Sequence, residues 1–245
     1  MTNIENFLRN NAPLLAVLVD PDKADHNLLQ NLITIAQKKH IDLFLVGGSL
    51  VSNDINPTVK KLKQANIPVI LFPGHITQFS PNADAILFLS LISGRNPEYL
   101  IGQQVQIAFK VKNSGINVIP TGYILLDGGR PTSVSYISQT CPLPSDKTDL
   151  IVATALAGHL LGMRAIYLET GSGANKTVPC SAIKAVKKQI NTLLFVGGGI
   201  SSKHDFKNIL NCGADIIVIG SAAEKNWKKI LIFSRLIKDF KKHQK

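Results

Sequence analysis

The sequence predicts a single α/β domain folded as a (βα)8 TIM-type barrel over residues 1–245. Three observations predict it. A length of 245 residues suits one such barrel. Eight short runs rich in Val, Ile, Leu and Phe recur along the chain, separated by segments long enough for crossover helices. Each run ends in small or polar residues, where a barrel carries its functional loops.

The strand candidates are Leu14–Asp20, Leu43–Gly48, Val69–Pro73, Ala85–Ser90, Val118–Leu126, Ala165–Glu169, Leu193–Gly198 and Ile216–Gly220. Their apolarity is continuous rather than strictly alternating, as in strands buried on both faces. Helices fit Asn27–Lys39, Asn56–Ala65, Pro97–Asn113, Ser145–Leu161, Cys180–Gln189, Lys203–Cys212 and Ala222–Lys242. The stretch after the third strand is short and holds Gly74 and Asn82, so its helix is expected to shrink to a turn. A doubly wound open sheet uses the same alternation and is the competing architecture. No linker, low-complexity tract or internal repeat divides the chain.

Hydrophobic residues make up 45% and charged residues 18% of the chain, which excludes a disordered or collagen-like polypeptide. Cys141, Cys180 and Cys212 are odd in number, far apart and free of any CxxC pattern. They predict neither a disulfide framework nor a zinc site, and a reducing cytoplasm is the expected location. The apolar run Leu14–Val19 is broken at once by Asp20-Pro-Asp, which argues against a signal peptide or membrane span. The formal charge is +11, and eight Lys or Arg residues lie between Lys225 and Lys245. That excess suits an anionic substrate or a transient membrane-surface contact. The regular spacing of Ile230, Phe233, Ile237 and Phe240 makes a terminal helix with a solvated basic face the simpler reading. Nucleic acid is not an expected partner, because basic residues are not interleaved with aromatics.

Phosphate binding is the strongest chemical signal. Gly198 and Gly199 follow the seventh strand, and Gly220 and Ser221 follow the eighth. Glycines at consecutive strand ends let backbone N–H groups approach an anion, aided by the next helix N-terminus. Glu169 closes the sixth strand just before Thr170-Gly171-Ser172-Gly173, so its carboxylate faces the mouth as a candidate proton acceptor. A carboxylate there also serves simply to orient a loop. Tyr167 lies two residues earlier, on the same inward side. Asp20 and Ser49 end neighbouring strands and form a hard-oxygen pair of the kind Mg²⁺ favours. An Asx-turn beginning at Asp20 is the alternative. The histidines show no mutual metal spacing.

These endings, taken together, resemble the geranylgeranylglyceryl phosphate synthase family, and its second main group in particular. The segments carrying the resemblance are LVDPDK, FLVGGSLV, VILFPG, ILFLSLISGRNPEYLIG, VIPTGYILLDGG, IYLETGSGA, LLFVGGGI and ADIIVIGSAAEKN, in order from Leu18 to about Asn226. Thr170 and Ser221 depart from the family pattern, where Ala and Asn or Thr are expected. The resemblance implies prenyl transfer from a prenyl diphosphate, geranylgeranyl diphosphate being expected, to the 3-hydroxyl of sn-glycerol 1-phosphate. Pyrophosphate is the leaving group and Mg²⁺ the cofactor.

On the matching positions, Asp20 and Ser49 hold the metal and Glu169 takes the hydroxyl proton. Tyr167, Leu168, Glu169, Thr170, Gly171, Ser172, Gly173, Gly198, Gly199, Gly220 and Ser221 hold the glycerol phosphate. Arg95 is a candidate for the diphosphate. Leu91, Ile92, Tyr99 and Leu100 are candidates for an apolar groove, with Tyr99 matching a chain-length position. The resemblance also implies a homo-oligomer. A sugar-phosphate isomerase on the same barrel is the competing function, and a non-catalytic module binding anionic surfaces is a third.

Overall fold

A computed structural model describes residues 3–243 as a closed ring of eight parallel strands. The strands are β1 (Leu14–Val19), β2 (Leu43–Val46), β3 (Val69–Leu71), β4 (Ala85–Leu91), β5 (Asn117–Leu125), β6 (Ala165–Glu169), β7 (Leu193–Gly197) and β8 (Ile216–Ile219). Pairing of Leu14–Val17 with Ile216–Ile219 closes the ring and excludes the open sheet.

The continuous apolar runs are explained by two buried layers. Leu14, Ala16, Leu43, Leu45, Tyr167 and Phe195 point into the barrel. Leu15, Val17, Phe44, Val46, Ile166 and Leu168 point out beneath the helices. Both sides of each strand thus leave water, which is why alternation fails as a signature here.

The helices are α1 (Asn3–Asn10), α2 (His26–Gln37), α3 (Asn56–Leu62), α4 (Gln103–Ser114), α5 (Ser133–Ser138), α6 (Thr148–Leu160), α7 (Cys180–Gln189), α8 (Lys203–Asn211), α9 (Ser221–Lys225) and α10 (Lys228–His243). Asp25 starts α2 by accepting the Leu28 N–H, and Leu29, Leu32, Ile33 and Ala36 form its buried stripe. A π-helical turn, Glu98–Gly102, precedes α4 within the single helix expected there. The expected final helix is also two. Asn226 is extended at φ −157° and ψ 91°, and its Oδ1 accepts the Lys228 N–H at 3.0 Å, ending α9 and starting α10. Short α5 and the N-terminal α1 were not anticipated.

No helix joins β3 to β4. Gln78, buried in that connection, acts instead as a polar staple. Its Oε1 accepts the N–H groups of Gly48 and Gly74, both at 3.1 Å, and its Nε2 donates to the Gly48 carbonyl at 2.8 Å.

The cysteine expectation is corrected. Cys180, the first residue of α7, and Cys212, at the C-cap of α8, form a disulfide with Cα atoms 5.6 Å apart. The 32-residue separation hid the pairing, because only packing of consecutive outer helices brings the two together. Cys141 is free and exposed.

The N-terminal face of the barrel serves stability. Asp42, Asp84 and Asp215 accept the N–H groups of Leu15, Val69 and Leu194 at 2.7, 2.8 and 2.9 Å. Helix α1 covers this end, placing fully buried Leu8 against the barrel interior. Truncation there leaves a cavity that strands cannot collapse into. Leu8→Ala should lower unfolding free energy by about 2–5 kcal/mol in a denaturant titration, without a change in the m-value.

Candidate active site

The opposite end of the barrel is floored by aromatic rings. Phe72, just beyond β3, stacks on Tyr167 of β6 with centroids 5.0 Å apart, and Tyr167 stacks on Phe195 of β7 at 5.7 Å. Tyr123 of β5 packs against Tyr167 at 5.4 Å. These inward-pointing residues seal the interior and form an apolar bed beneath Glu169, the last residue of β6.

Glu169 is only 6% exposed. Its Oε1 accepts the Gly171 N–H at 2.7 Å, so the loop-orienting role is present. That bond does not offset the loss of hydration. Burial pushes the Glu169 carboxyl up to about 7, against the pull of the Gly171 N–H, the Tyr167 hydroxyl and the Thr170 N–H. The Tyr167 hydroxyl lies beside Glu169 without a well-aligned hydrogen bond, and burial first, then the Glu169 charge, raises its pKa well above the usual value.

Glu169 stands where two cavities meet. One is a cup formed by Ser172, Gly173, Gly198, Gly199, Gly220 and Ser221. The other is a central mouth that shares Leu18, Glu169, Ser172, Gly220 and Ser221 with the cup and adds Asp20, Asp22, Lys23, Ser49 and Glu224. Beyond the mouth runs an apolar groove lined by Phe72, Pro73, Leu89, Leu91, Tyr99, Val134 and Ile137, among others. The groove and mouth share Gly48, Ser49, Phe72, Tyr123 and Val134. Cup, carboxylate, mouth and groove are therefore contiguous.

Local sequence explains the cup. Gly198 and Gly199 hold left-handed φ values of +86° and +65°, and a Cβ on Gly198 would strike Glu169 and Thr170. Glycine is required there by conformation and by space. Gly220 differs, since a Cβ there would meet only Leu18 at 3.7 Å. The hydroxyls of Ser172 and Ser221 are 2.9 Å apart, linking the loop after β6 to the start of α9.

Not every expected residue reaches the site. Leu168 faces the outer shell, so only its backbone borders Glu169. Tyr167 is fully buried under Glu169 and lines neither the cup nor the mouth. Thr170 is buried, with an unpartnered hydroxyl against the Gly198 loop. Arg95 turns back on its own loop, donating from Nη1 to the Gly94 carbonyl at 2.7 Å. Ile92 and Leu100 stay outside the groove that Leu91 and Tyr99 line. Tyr99 is partly buried, and its hydroxyl donates to the Ile137 carbonyl at 3.4 Å. The sequence reading missed Phe72, Val134 and Ile137 in the groove, and Lys225 and Lys229 at the cup.

Asp20 fulfils the Asx-turn alternative, its Oδ1 accepting the Asp22 N–H at 3.1 Å, while Oδ2 takes the Lys23 ammonium at 2.5 Å. It nevertheless lines the mouth with Ser49. Among the described residues no cluster of three or more His, Cys, Asp or Glu side chains surrounds a metal position. A carboxylate and a hydroxyl, both hard oxygen donors, fit Mg²⁺ that takes its other ligands from water and phosphate. They do not fit a protein-built zinc cage.

The pattern of the PcrB family matches residues 9–242. The chain belongs to the PcrB family. Among similar proteins, the geranylgeranylglyceryl phosphate synthase of Chitinophaga pinensis is 50% identical over 214 residues, covering 86% of this PcrB-family chain and 84% of that protein. The synthase of Spirosoma linguale is 42% identical over 244 residues, covering 98% and 97%. The solved structure of (S)-3-O-geranylgeranylglyceryl phosphate synthase from Thermoplasma acidophilum, in complex with substrate sn-glycerol-1-phosphate, is 30% identical. It superposes with a TM-score of 0.90 and covers 98% of the PcrB-family chain and 99% of the Thermoplasma chain.

The buried carboxyl has a thermodynamic consequence. With its folded pKa near 7 against 4.5 unfolded, Glu169 binds its proton more tightly in the folded state, so its contribution falls as pH rises from 4.5 to 7. Glu169→Gln removes that loss. At pH 8 the variant should exceed wild type in stability by up to roughly 3 kcal/mol, and the gap should close as pH falls toward 4.5. Paired denaturant titrations across this range test it.

Proposed function

We propose that this chain is a prenyltransferase joining sn-glycerol 1-phosphate to a prenyl diphosphate, geranylgeranyl diphosphate in the first instance, through an ether bond. The observation that carries this reading is the contiguity of a glycine-lined cup, a poised carboxylate and an apolar groove. The function named for the relatives supports it. The groove favours it over a sugar-phosphate isomerase, which has no hydrocarbon tail to bury.

The glycerol phosphate lies in the cup with its 3-hydroxyl toward Glu169. A carboxyl with a pKa about 7 is an effective proton acceptor at neutral pH. As the hydroxyl oxygen bonds to the allylic C1 of the donor, the C1–O bond to the diphosphate breaks and pyrophosphate leaves. The hydroxyl proton passes to Glu169. Asp20 and Ser49 would hold Mg²⁺, which when bound neutralises charge on the diphosphate. The tail extends over Phe72, Leu91 and Val134 into the groove, each buried CH₂ contributing about 0.8 kcal/mol.

We also place the reaction in the cytoplasm, since multiply charged phosphates do not cross a bilayer unaided. Exposed Leu50, in the loop after β2, and exposed Tyr136, on α5, suit a transient membrane-surface contact. Homo-oligomerisation completes the proposal. Ile101, Val105 and Phe109 form a stripe at four-residue spacing along the π-helical turn and α4, with Phe109 80% exposed. A second copy would bury it.

Incubation with labelled glycerol 1-phosphate, Mg²⁺ and prenyl diphosphates of several lengths should give an ether product; none with any donor would sink the reading. Glu169→Gln should cut kcat about 10²–10⁴-fold. The wild-type rate should climb with pH through about 7 as Glu169 deprotonates, and a flat profile with an unchanged variant would remove Glu169 from the chemistry. Phe109→Asp should reduce the mass seen by sedimentation, whereas an unaltered oligomer would exclude the α4 stripe.

A further inference from the structure

We infer that Lys225 and Lys229 are positioning residues that clamp the acceptor's phosphate and restrict the cup to dianionic phosphomonoesters; the inference rests on the cup being the glycerol phosphate site. Both residues line the cup beside Gly198, Gly199 and Ser221. They stand four residues apart, one ending α9 and the other in the first turn of α10.

Lys229 is held in place from two sides. Next to it, Ile230 is fully buried and anchors the first turn of α10 in the core. Its own Nζ donates to the Ser201 carbonyl at 2.8 Å, tying α10 to the loop that carries Gly198 and Gly199. An ammonium has three donors, and this bond uses one, leaving two for an anion in the cup. Lys225 makes no hydrogen bond or ion pair among the described residues. The ion pairs join Lys23 to Asp20, Lys63 to Asp84, Arg164 to Glu5 and Lys187 to Asp215. The nearest acid to Lys225 in sequence, Glu224, lines the mouth rather than the cup and feels the Lys225 charge without forming an ion pair with it.

Charge is thus divided by position. Asp20, Asp22 and Glu224 share the mouth with a single cation, Lys23. The cup has two cations and one acid, Glu169, which is half protonated near neutrality. Two ammonium groups match the two charges of a phosphomonoester. A phosphodiester offers one charge and forfeits part of the attraction, and glycerol, with none, forfeits all of it.

The test uses the full chain with Lys225→Met, Lys229→Met, the double variant and Lys229→Arg. With prenyl diphosphate and Mg²⁺ saturating, each methionine should raise KM for glycerol phosphate about tenfold, with kcat little changed. Lys229→Arg, which keeps the charge, should recover most of the affinity. Calorimetry with glycerol 1-phosphate and with inorganic phosphate, without a prenyl donor, should show the same ranking and a weaker dependence on salt in the variants.

Unchanged KM and Kd in the methionine variants, or Lys229→Arg falling as far as Lys229→Met, would overturn the clamp while any ether product upholds the transferase. Loss of phosphate binding in the variants, with no product from wild type, would uphold the clamp and overturn the transferase. Should Lys229→Met fail to fold, Lys225→Met decides the matter, because Lys225 carries no hydrogen bond to lose.

Discussion

Pairing of β1 with β8 is the constraint on which the rest of the molecule depends. Without it the eight strands would form an open sheet with two unpaired edges and no enclosed interior. Closure places the loop after β1, which carries Asp20, beside helix α9 after β8, which carries Ser221 and Glu224. Residues two hundred positions apart in the chain then share one wall. Asp20 and Ser49 in the mouth and the glycine-rich cup are neighbours because the ring shuts.

Inside that ring, hydrophobic packing and ionisation are coupled. The stack of Phe72, Tyr167 and Phe195 excludes water from below Glu169, and the Gly198 loop presses on it from the side. A carboxyl in such surroundings is held near neutrality with few neighbouring charges to help. The aromatic floor therefore helps set the ionisation of Glu169. Tyr167, expected to contact substrate, is part of this floor, one layer beneath the cavities.

Much of this was legible in the sequence because barrels repeat. Strand placement followed from buried runs, and the cup followed from glycines at the ends of β7 and β8. Glu169 was found because its position at a strand terminus fixes its direction. What escaped depends on long-range geometry or on competing local chemistry. Arg95 looked available until its own loop carbonyls captured it. Lys225 and Lys229 were hidden within a basic helix, since nothing in composition separates a solvated lysine from one leaning into a cavity. The Asn226 break was equally silent, being made by a side-chain cap inside a helical pattern. Cys180 and Cys212 needed the packing of α7 on α8 before their pairing could be seen.

The missing crossover between β3 and β4 has a consequence for how the molecule is completed. Every other gap in the ring is clad by a helix, whose apolar stripe seals the strands permanently. Here Gln78 and its staple hold the connection with hydrogen bonds, and apolar wall from Phe72 and Pro73 to Leu89 is left facing a groove. The chain has in effect left one block of its own hydrophobic core to be supplied from outside. On the proposed reading, a hydrocarbon tail serves as that detachable block, so that binding the substrate also completes the packing of the barrel.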